Sequence, residues 1–475
     1  MKKATISMLL ALAMVFSLVL VAAPVAQAAS AHPHADGAQT HCVCNSTATV
    51  KGHTHVSAPT WTAWPGIANV TEGGYYYLEK NETIEWPSET VSFNLCLNGY
   101  NITQSTHISV KDMTICDCAA TPGTITSSFS DANDQGGIAY IVGGGTLNLF
   151  NANLVYTGTG VKTGGGVQIP VDATFNMYSG TISGGNVANK DGQSGGNIMV
   201  KGTFNMYGGK LSNSNTEKAC KNGANIWSDG TIYITGNSVI ENGYANYGGN
   251  IRLDGGEFTM DSGEIRGGKA VSAGGNMYVQ NAVCVLKGTA VVKNGTAGTN
   301  GGNFMLQKSE VGGFTLEGDA KVIDGTATNG GNIFCHASNV SVFNMNGGTI
   351  TGGSVKNGGA GIMKITAGYL QLAEDFATSK DVTIKAAKAL TIDLNGKVLS
   401  GAVDAGDKLL KIVDTSAGAT GKMEATVTGT LAPATNPAPA PTPSTGDSAN
   451  LVVMGLGLVL GVAGMACLLP KKQTV

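Results

Sequence analysis

A tetrapeptide recurs through the middle of the chain: Gly195-Gly196-Asn197-Ile198, Gly223-Ala224-Asn225-Ile226, Gly248-Gly249-Asn250-Ile251, Gly274-Gly275-Asn276-Met277, Gly301-Gly302-Asn303-Phe304 and Gly330-Gly331-Asn332-Ile333. Its asparagines follow one another at intervals of 28, 25, 26, 27 and 29 residues. A period of roughly 20–50 residues marks a solenoid, whose units cannot bury their apolar faces alone and stack on their neighbours. Weaker copies at Gly164-Gly165-Gly166-Val167 and Gly358-Gly359-Ala360 extend the series at both ends.

Each unit divides again. A second apolar patch follows the first, as in Phe175-Asn176-Met177, Phe204-Asn205-Met206, Ile232-Tyr233-Ile234, Phe258-Thr259-Met260, Phe314-Thr315-Leu316 and Phe343-Asn344-Met345. A third comes at Thr181-Ile182, Lys210-Leu211, Val239-Ile240, Glu264-Ile265, Val322-Ile323 and Thr349-Ile350. Three short alternating strands per coil of ~27 residues, separated by Gly or Asn turns, predict an all-β parallel β-helix. No unit holds an apolar stripe of helix length, which excludes leucine-rich and ankyrin repeats. The 69 glycines among 475 residues agree, because Gly in a helix interior costs about 1 kcal/mol relative to Ala. Glycine suits the corners, where φ is positive and Cβ has no room. Equivalent positions of successive coils stack, so Asn197, Asn225, Asn250, Asn276, Asn303 and Asn332 are expected to form an amide ladder along the rod, a structural rather than a ligand-binding column. At ~4.8 Å per coil, about ten coils between Val91 and Lys411 would make a rod of ~50 Å.

Gly-Gly-Asn followed by Phe-Asn-Met resembles the right-handed β-helix repeats of bacterial surface proteins, and is also similar to the Gly-Gly-Ala-Ile and Phe-x-x-Asn repeats of chlamydial polymorphic membrane proteins. The resemblance spans roughly residues 136–362; it implies a right-handed coil and says little about activity. On both flanks, Phe93-Asn94-Leu95-Cys96-Leu97-Asn98-Gly99 and Leu390-Thr391-Ile392-Asp393-Leu394-Asn395-Gly396 look like capping coils, with Tyr75-Tyr76-Tyr77, Trp61, Trp64 and Trp86 over the N-terminal opening.

The two ends are addresses. Lys2 and Lys3, the apolar run Met8 to Ala23 and Ala26-Gln27-Ala28 form a secretory signal expected to be cut after Ala28. At the other end Thr442-Pro443-Ser444-Thr445-Gly446 precedes an apolar stretch from Leu451 to Leu469 and then Lys471-Lys472. Nineteen residues nearly cross a hydrocarbon layer of ~30 Å. This tail resembles the cell-wall sorting signal of Gram-positive surface proteins, with Thr442 standing where the usual motif has Leu. The resemblance implies that a sortase joins Thr445 to peptidoglycan and discards Gly446 onward; if the motif is not cut, the same segment is a single-span membrane-anchor helix. The domain organisation is then signal peptide 1–28, a His/Cys-rich N-terminal cap region 29–90, parallel β-helix with capping coils 91–430, a Pro-rich stalk and sorting motif 431–445, and a transmembrane sorting tail 446–475. The expected location is the extracellular face of a Gram-positive bacterium, held by cell wall or membrane.

Five of seven histidines lie between His32 and His55, around Cys42-Val43-Cys44. His41, Cys42, Cys44, His53 and His55 could supply tetrahedral ligands to Zn²⁺; the alternatives are disulfides or thiols in an exported protein, and a solvated linker. Cys96, Cys116 and Cys118 sit in the first coils, where in-register neighbours meet the Cα separation of a disulfide. Cys220, Cys284 and Cys335 have the character of small core residues.

For function, a formal charge of −3 with only two arginines, Arg252 and Arg266, gives no footprint for nucleic acid. The enzymes natural to this fold cleave polysaccharides with carboxylates and a basic residue in a groove, and Asp254, Glu257, Asp261 and Glu264 lie beside Arg252 and Arg266. Even coil lengths and the lack of an acidic column through three coils weigh against that, and no catalytic residue is assigned. Tyr178 and Tyr207 occupy equivalent positions one coil apart, with Trp227, Tyr233, Tyr244, Tyr247 and Tyr278 nearby; turned outward, such rings would form a platform for sugar faces, and turned inward, a core stack. The leading expectation is a non-enzymatic adhesin or glycan-binding scaffold for extracellular glycan, mucin or another surface ligand. The alternatives are a polysaccharide lyase or glycoside hydrolase and a structural surface spacer.

Overall fold

A computed structural model describes residues 61–187, 195–213, 220–307 and 313–335, together with stretches between 342 and 431. They form a right-handed parallel β-solenoid of coils about 27 residues long. One coil serves as the type. Its first strand is Ile226–Ser228, its second Thr231–Ile234, its third Val239–Glu241 and its fourth Tyr244–Tyr247. The first strand pairs in register with Ile198–Val200 before it and Ile251–Leu253 after it. The second pairs with Thr203–Met206 and Glu257–Met260, and the third with Lys210–Ser212 and Glu264–Arg266.

The fourth strand goes beyond the three expected. It builds a six-stranded sheet of its own from Cys220–Asn222 to Ser354–Val355. In the N-terminal coils the first two strands merge instead, giving the twelve-residue strand Ala139–Phe150, which pairs with Val167–Ile169 at one end and Thr174–Met177 at the other. Gly143, Gly144 and Gly145 lie between the two paired parts.

The interior is a set of columns produced by period-two alternation. Phe175, Phe204, Ile232, Phe258, Cys284 and Phe314 stack in register, as do Ile182, Leu211, Ile240, Ile265, Val292 and Val322; all are buried. Phe175 and Phe204 lie nearly parallel with centroids 5.3 Å apart. One hydrophobic cluster runs from Tyr76 to Ala425.

Stacking begins before residue 91, the boundary expected for the coils: Thr62–Ala63 pairs with Tyr75–Tyr77, which pairs with the end of Val91–Cys96. Trp64, Tyr76 and Trp86 surround Phe93 at 5.7, 5.9 and 6.3 Å. The buried Trp86 indole donates to Gln104 Oε1 at 2.8 Å, and Gln104 Nε2 donates to Ile138 O at 3.0 Å, so these buried polar groups are matched. At the other end Val398–Val413 and Lys422–Leu431 run parallel as two long strands.

Corners are set by the repeated glycines. Gly248 has φ 62°, and a Cβ on Gly249 would collide with the carbonyl of Gly275 in the next coil. The first position therefore needs glycine for its dihedral and the second for its clearance. Ala224 is the exception, and its methyl is buried with Val187, Cys220 and Ala245.

The signal segment, the 29–60 part of the cap region, the weak copy at 358–360, the Pro-rich stalk, the sorting motif and the tail lie outside the described residues. Among the described residues no helix is long and apolar enough to cross a membrane.

Candidate functional site

The ladder asparagines occupy the corner where the fourth strand turns into the next first strand. Each is fully buried. Asn197 Nδ2 donates to Asn225 Oδ1 at 2.7 Å, and the chain continues through Asn250, Asn276, Asn303 and Asn332 at 2.8, 2.8, 2.7 and 2.7 Å. The other Nδ2 hydrogen goes to a carbonyl at the third-strand end, such as Lys293 O for Asn276 at 2.8 Å. The oxygen takes a second hydrogen bond from a glycine amide after the third strand, such as Gly268 N at 2.9 Å. Asn276 thus uses two donors and two acceptor sites, which is what a buried amide requires. This column is engaged along its length and offers nothing to a ligand. A second, half-buried ladder runs on the outer face of the second strands, from Asn205 through Asn176 to Asn148 at 2.9 Å each.

Tyr178 and Tyr207 come together, outside the main core. Tyr178 stacks on Phe150 at 4.1 Å with 8° between planes, and on Tyr207 at 5.1 Å with 17°. Tyr207 meets Tyr233 edge-on at 6.3 Å. Tyr178 is 9% exposed, and both of its ring faces are covered by neighbouring rings. Burial, with the Tyr207 hydroxyl beside it, pushes its pKa up to about 12. Tyr207 and Tyr233, further along the column, are half-buried.

The charged patch from Asp254 to Arg266, continuous in sequence, is divided by the coil between two faces. On the first-strand face Arg252 follows Trp227 and precedes Tyr278 in register. Its guanidinium lies 4.5 Å from the Tyr278 ring centre and 5.5 Å from that of Tyr247. Arg252 Nε donates to Asp254 Oδ1 at 2.8 Å and Nη2 to Gln280 Oε1 at 3.1 Å; the Trp227 indole donates to Asp254 Oδ2 at 2.8 Å. Trp227 points outward yet is 1% exposed.

On the third-strand face Arg266 bridges two carboxylates. Its Nε donates to Glu241 Oε2 and its Nη1 to Glu264 Oε2, both at 2.8 Å. Lys210 pairs with Glu241 and Lys293 with Glu264, so five charges tie four coils together. Burial raises the Glu241 pKa, but hydrogen bonds from Lys210 and Arg266 outweigh it and hold the carboxyl below its usual range. The bond to Glu241 raises the Arg266 pKa above its already high ordinary value. That arginine is a poor base for a lyase.

Beside this network, where second strands turn into third strands, lies a shallow groove of about 520 Å³. Asn237, Ser262 and Thr289 line it from three successive coils, with Glu264 and Lys293 on one side. Sequence reasoning missed it, although its three polar positions recur 25 and 27 residues apart, the period of the asparagines.

In the first coils Cys96 and Cys116 are cross-strand partners. Cys116 is in a disulfide, and the sulfurs of Cys96 and Cys118 stand 3.2 Å apart. Cys284 is buried in the main core and Cys220 in a side cluster. No cluster of metal-ligating side chains occurs among the described residues; His41, Cys42, Cys44, His53 and His55 lie outside them. His107 packs edge-on against Phe129 at 4.9 Å, and burial lowers its pKa against the pull of Asp134.

A scan against family models, a search of curated proteins and a search of solved structures each return no match to the chain.

Proposed function

We propose that this chain is an exported surface rod that binds extracellular glycan without covalent chemistry. The observation that carries the reading is the groove across three coils. Its lining of amide, hydroxyl and one ion pair suits wet, hydroxyl-rich contacts with several sugar units in line. A glycosidase needs two carboxylates about 5–9.5 Å apart across the scissile bond. Glu264 is the one carboxylate of this lining, and Arg266 and Lys293 hold it. Asp254 is on another face, bonded to Arg252 and Trp227. This groove is built to hold rather than to cut.

The location is part of the same proposal and rests on the chain ends. The N-terminal signal would export the protein to the surface of a Gram-positive cell. The tail would hold it there, through sortase attachment of Thr445 to peptidoglycan or as a membrane anchor. The rod would then display the groove beyond a short Pro-rich stalk.

The experiment is an array of glycans and mucins probed with recombinant residues 29–441. Saturable binding to a defined glycan, weakened by Asn237→Ala and by Thr289→Val, is the expected result. A blank array, or binding indifferent to both substitutions, would remove the groove as the site.

A further inference from the structure

We propose that the groove takes an acidic glycan, one whose carboxylate or sulfate groups face the wall formed by the third strands. The proposal rests on the reading of the groove as a glycan site and adds the class of glycan. Along that wall Lys210, Glu264 and Lys321 occupy the first, third and fifth coils of one column. Glu241, Arg266 and Lys293 occupy the second, third and fourth coils of the column beside it. These five third strands hold four cations and two anions, an excess of two positive charges in a chain whose formal charge is −3.

The signs are also sorted by depth. The side chains of Lys210, Arg266 and Lys293 are 44%, 39% and 35% exposed, against 7% for Glu241 and 21% for Glu264. The carboxylates are turned inward and the cations form the outer layer. An ammonium has three N–H donors, and one carboxylate contact leaves Lys210 and Lys293 with donors for water or a ligand. Lys321 is exposed, and among the described residues no carboxylate pairs with it.

These cations follow the groove. Lys293 lines it, while Lys210 and Lys321 pair with the lining residues Val239 and Val291 and so flank its two ends. Four coil steps separate the two flanking lysines, roughly 19 Å along the rod. Across the groove, just past the ends of the second strands, Asp261, Lys287 and Glu317 follow one another, an edge of mixed sign. A sugar chain lying along the rod would therefore turn its acid groups to the third-strand wall and its hydroxyls to Asn237, Ser262 and Thr289. The net negative charge of the whole chain repels such a polymer elsewhere, which confines the attraction to this wall.

The test titrates the full chain with two matched pairs of polymers, polygalacturonate against its methyl ester and dextran sulfate against dextran. The first pair presents carboxylates and the second sulfates, so the acidic polymer that binds identifies the source of the charge. The expected result is saturable binding of at least one acidic polymer, about tenfold tighter than its neutral partner, the worth of a few exposed ion pairs. Added salt should weaken it. Lys321→Gln should weaken it roughly 3–5-fold at an unchanged unfolding temperature. Lys422→Gln, which removes an exposed charge at the far end of the rod, should leave it unchanged. Equal binding of acidic and neutral partners, both weakened by Asn237→Ala, would overturn the acidic class and leave the groove as a glycan site. Acidic binding that responds to Lys321→Gln and ignores Asn237→Ala would keep the charged wall and remove the groove. Equal losses from Lys321→Gln and Lys422→Gln, or no binding of either acidic polymer, would overturn the proposal.

Discussion

Asp117 and Asp414 perform the same task at opposite ends of the rod. Each is buried and accepts the amide of a glycine eighteen residues earlier, Gly99 for one and Gly396 for the other. Each also takes the amide two residues on, from Ala119 and Ser416, and that of a later glycine, Gly123 and Gly421. The shared Asn-Gly motif of the two flanks is thus one half of a turn whose other half is a buried carboxylate.

That carboxylate makes the rod sensitive to acid. Burial raises the Asp414 pKa, and hydrogen bonds from Ser416, Gly396 and Gly421 outweigh it, leaving the pKa below its ordinary value. The unfolded chain takes up this proton near pH 4, earlier than the folded one. Stability from Asp414 is therefore complete above about pH 4 and is lost as pH falls through the lower folded value. Asp414→Asn should cost about 2 kcal/mol at neutral pH and flatten the acid limb of thermal unfolding. An unchanged unfolding temperature at pH 7 would contradict this account.

The two asparagine ladders should differ in their worth. Asn276→Ala leaves Asn250 Nδ2, Asn303 Oδ1, Gly268 N and Lys293 O without their partner in a buried corner. A loss of about 3 kcal/mol is expected. Asn205→Ala breaks a half-buried ladder that water can replace, and should cost about 1 kcal/mol or less. Denaturant midpoints of the two variants decide the matter; equal losses would mean that burial is not what sets the difference.

Gly249→Ala should destabilise by about 2–4 kcal/mol, because the new methyl meets the Gly275 carbonyl. The reverse change at the equivalent position, Ala224→Gly, removes a packed methyl and should cost about 1 kcal/mol. Chemical unfolding of both proteins measures the contrast.

Tyr178→Ala should act on stability and Asn237→Ala on binding. Removing Tyr178 opens a gap between Phe150 and Tyr207 and should cost about 3 kcal/mol. Asn237 is exposed, so its loss should leave the unfolding temperature alone and weaken glycan binding roughly 5-fold, the loss of about one hydrogen bond. Paired unfolding and binding titrations separate the two roles; reduced binding by a fully stable Tyr178→Ala protein would return the site to the aromatic column.

The coils were legible in sequence because glycine and asparagine recur at corners that admit little else. The fourth strand was not: Thr296–Ala297 and Thr326–Ala327 are two residues each, too short to display alternation. The division of the charged segment between two faces was not legible either, for a geometric reason. Arg252 and Arg266 are near in sequence, but half a coil of chain turns them to different faces. The groove was hidden because Asn237, Ser262 and Thr289 are unlike residues, and only their spacing links them.

The asparagine ladder also makes the rod's length a free variable. Every rung joins like to like, so removing residues 250–275 would set Asn276 directly on Asn225, a contact of the kind already present. Duplicating the same segment would set Asn276 on a copied coil in the same way. Unequal crossing-over between repeats can therefore shorten or lengthen the rod one coil at a time, and its length can evolve without any change to the stacking rule of the interior.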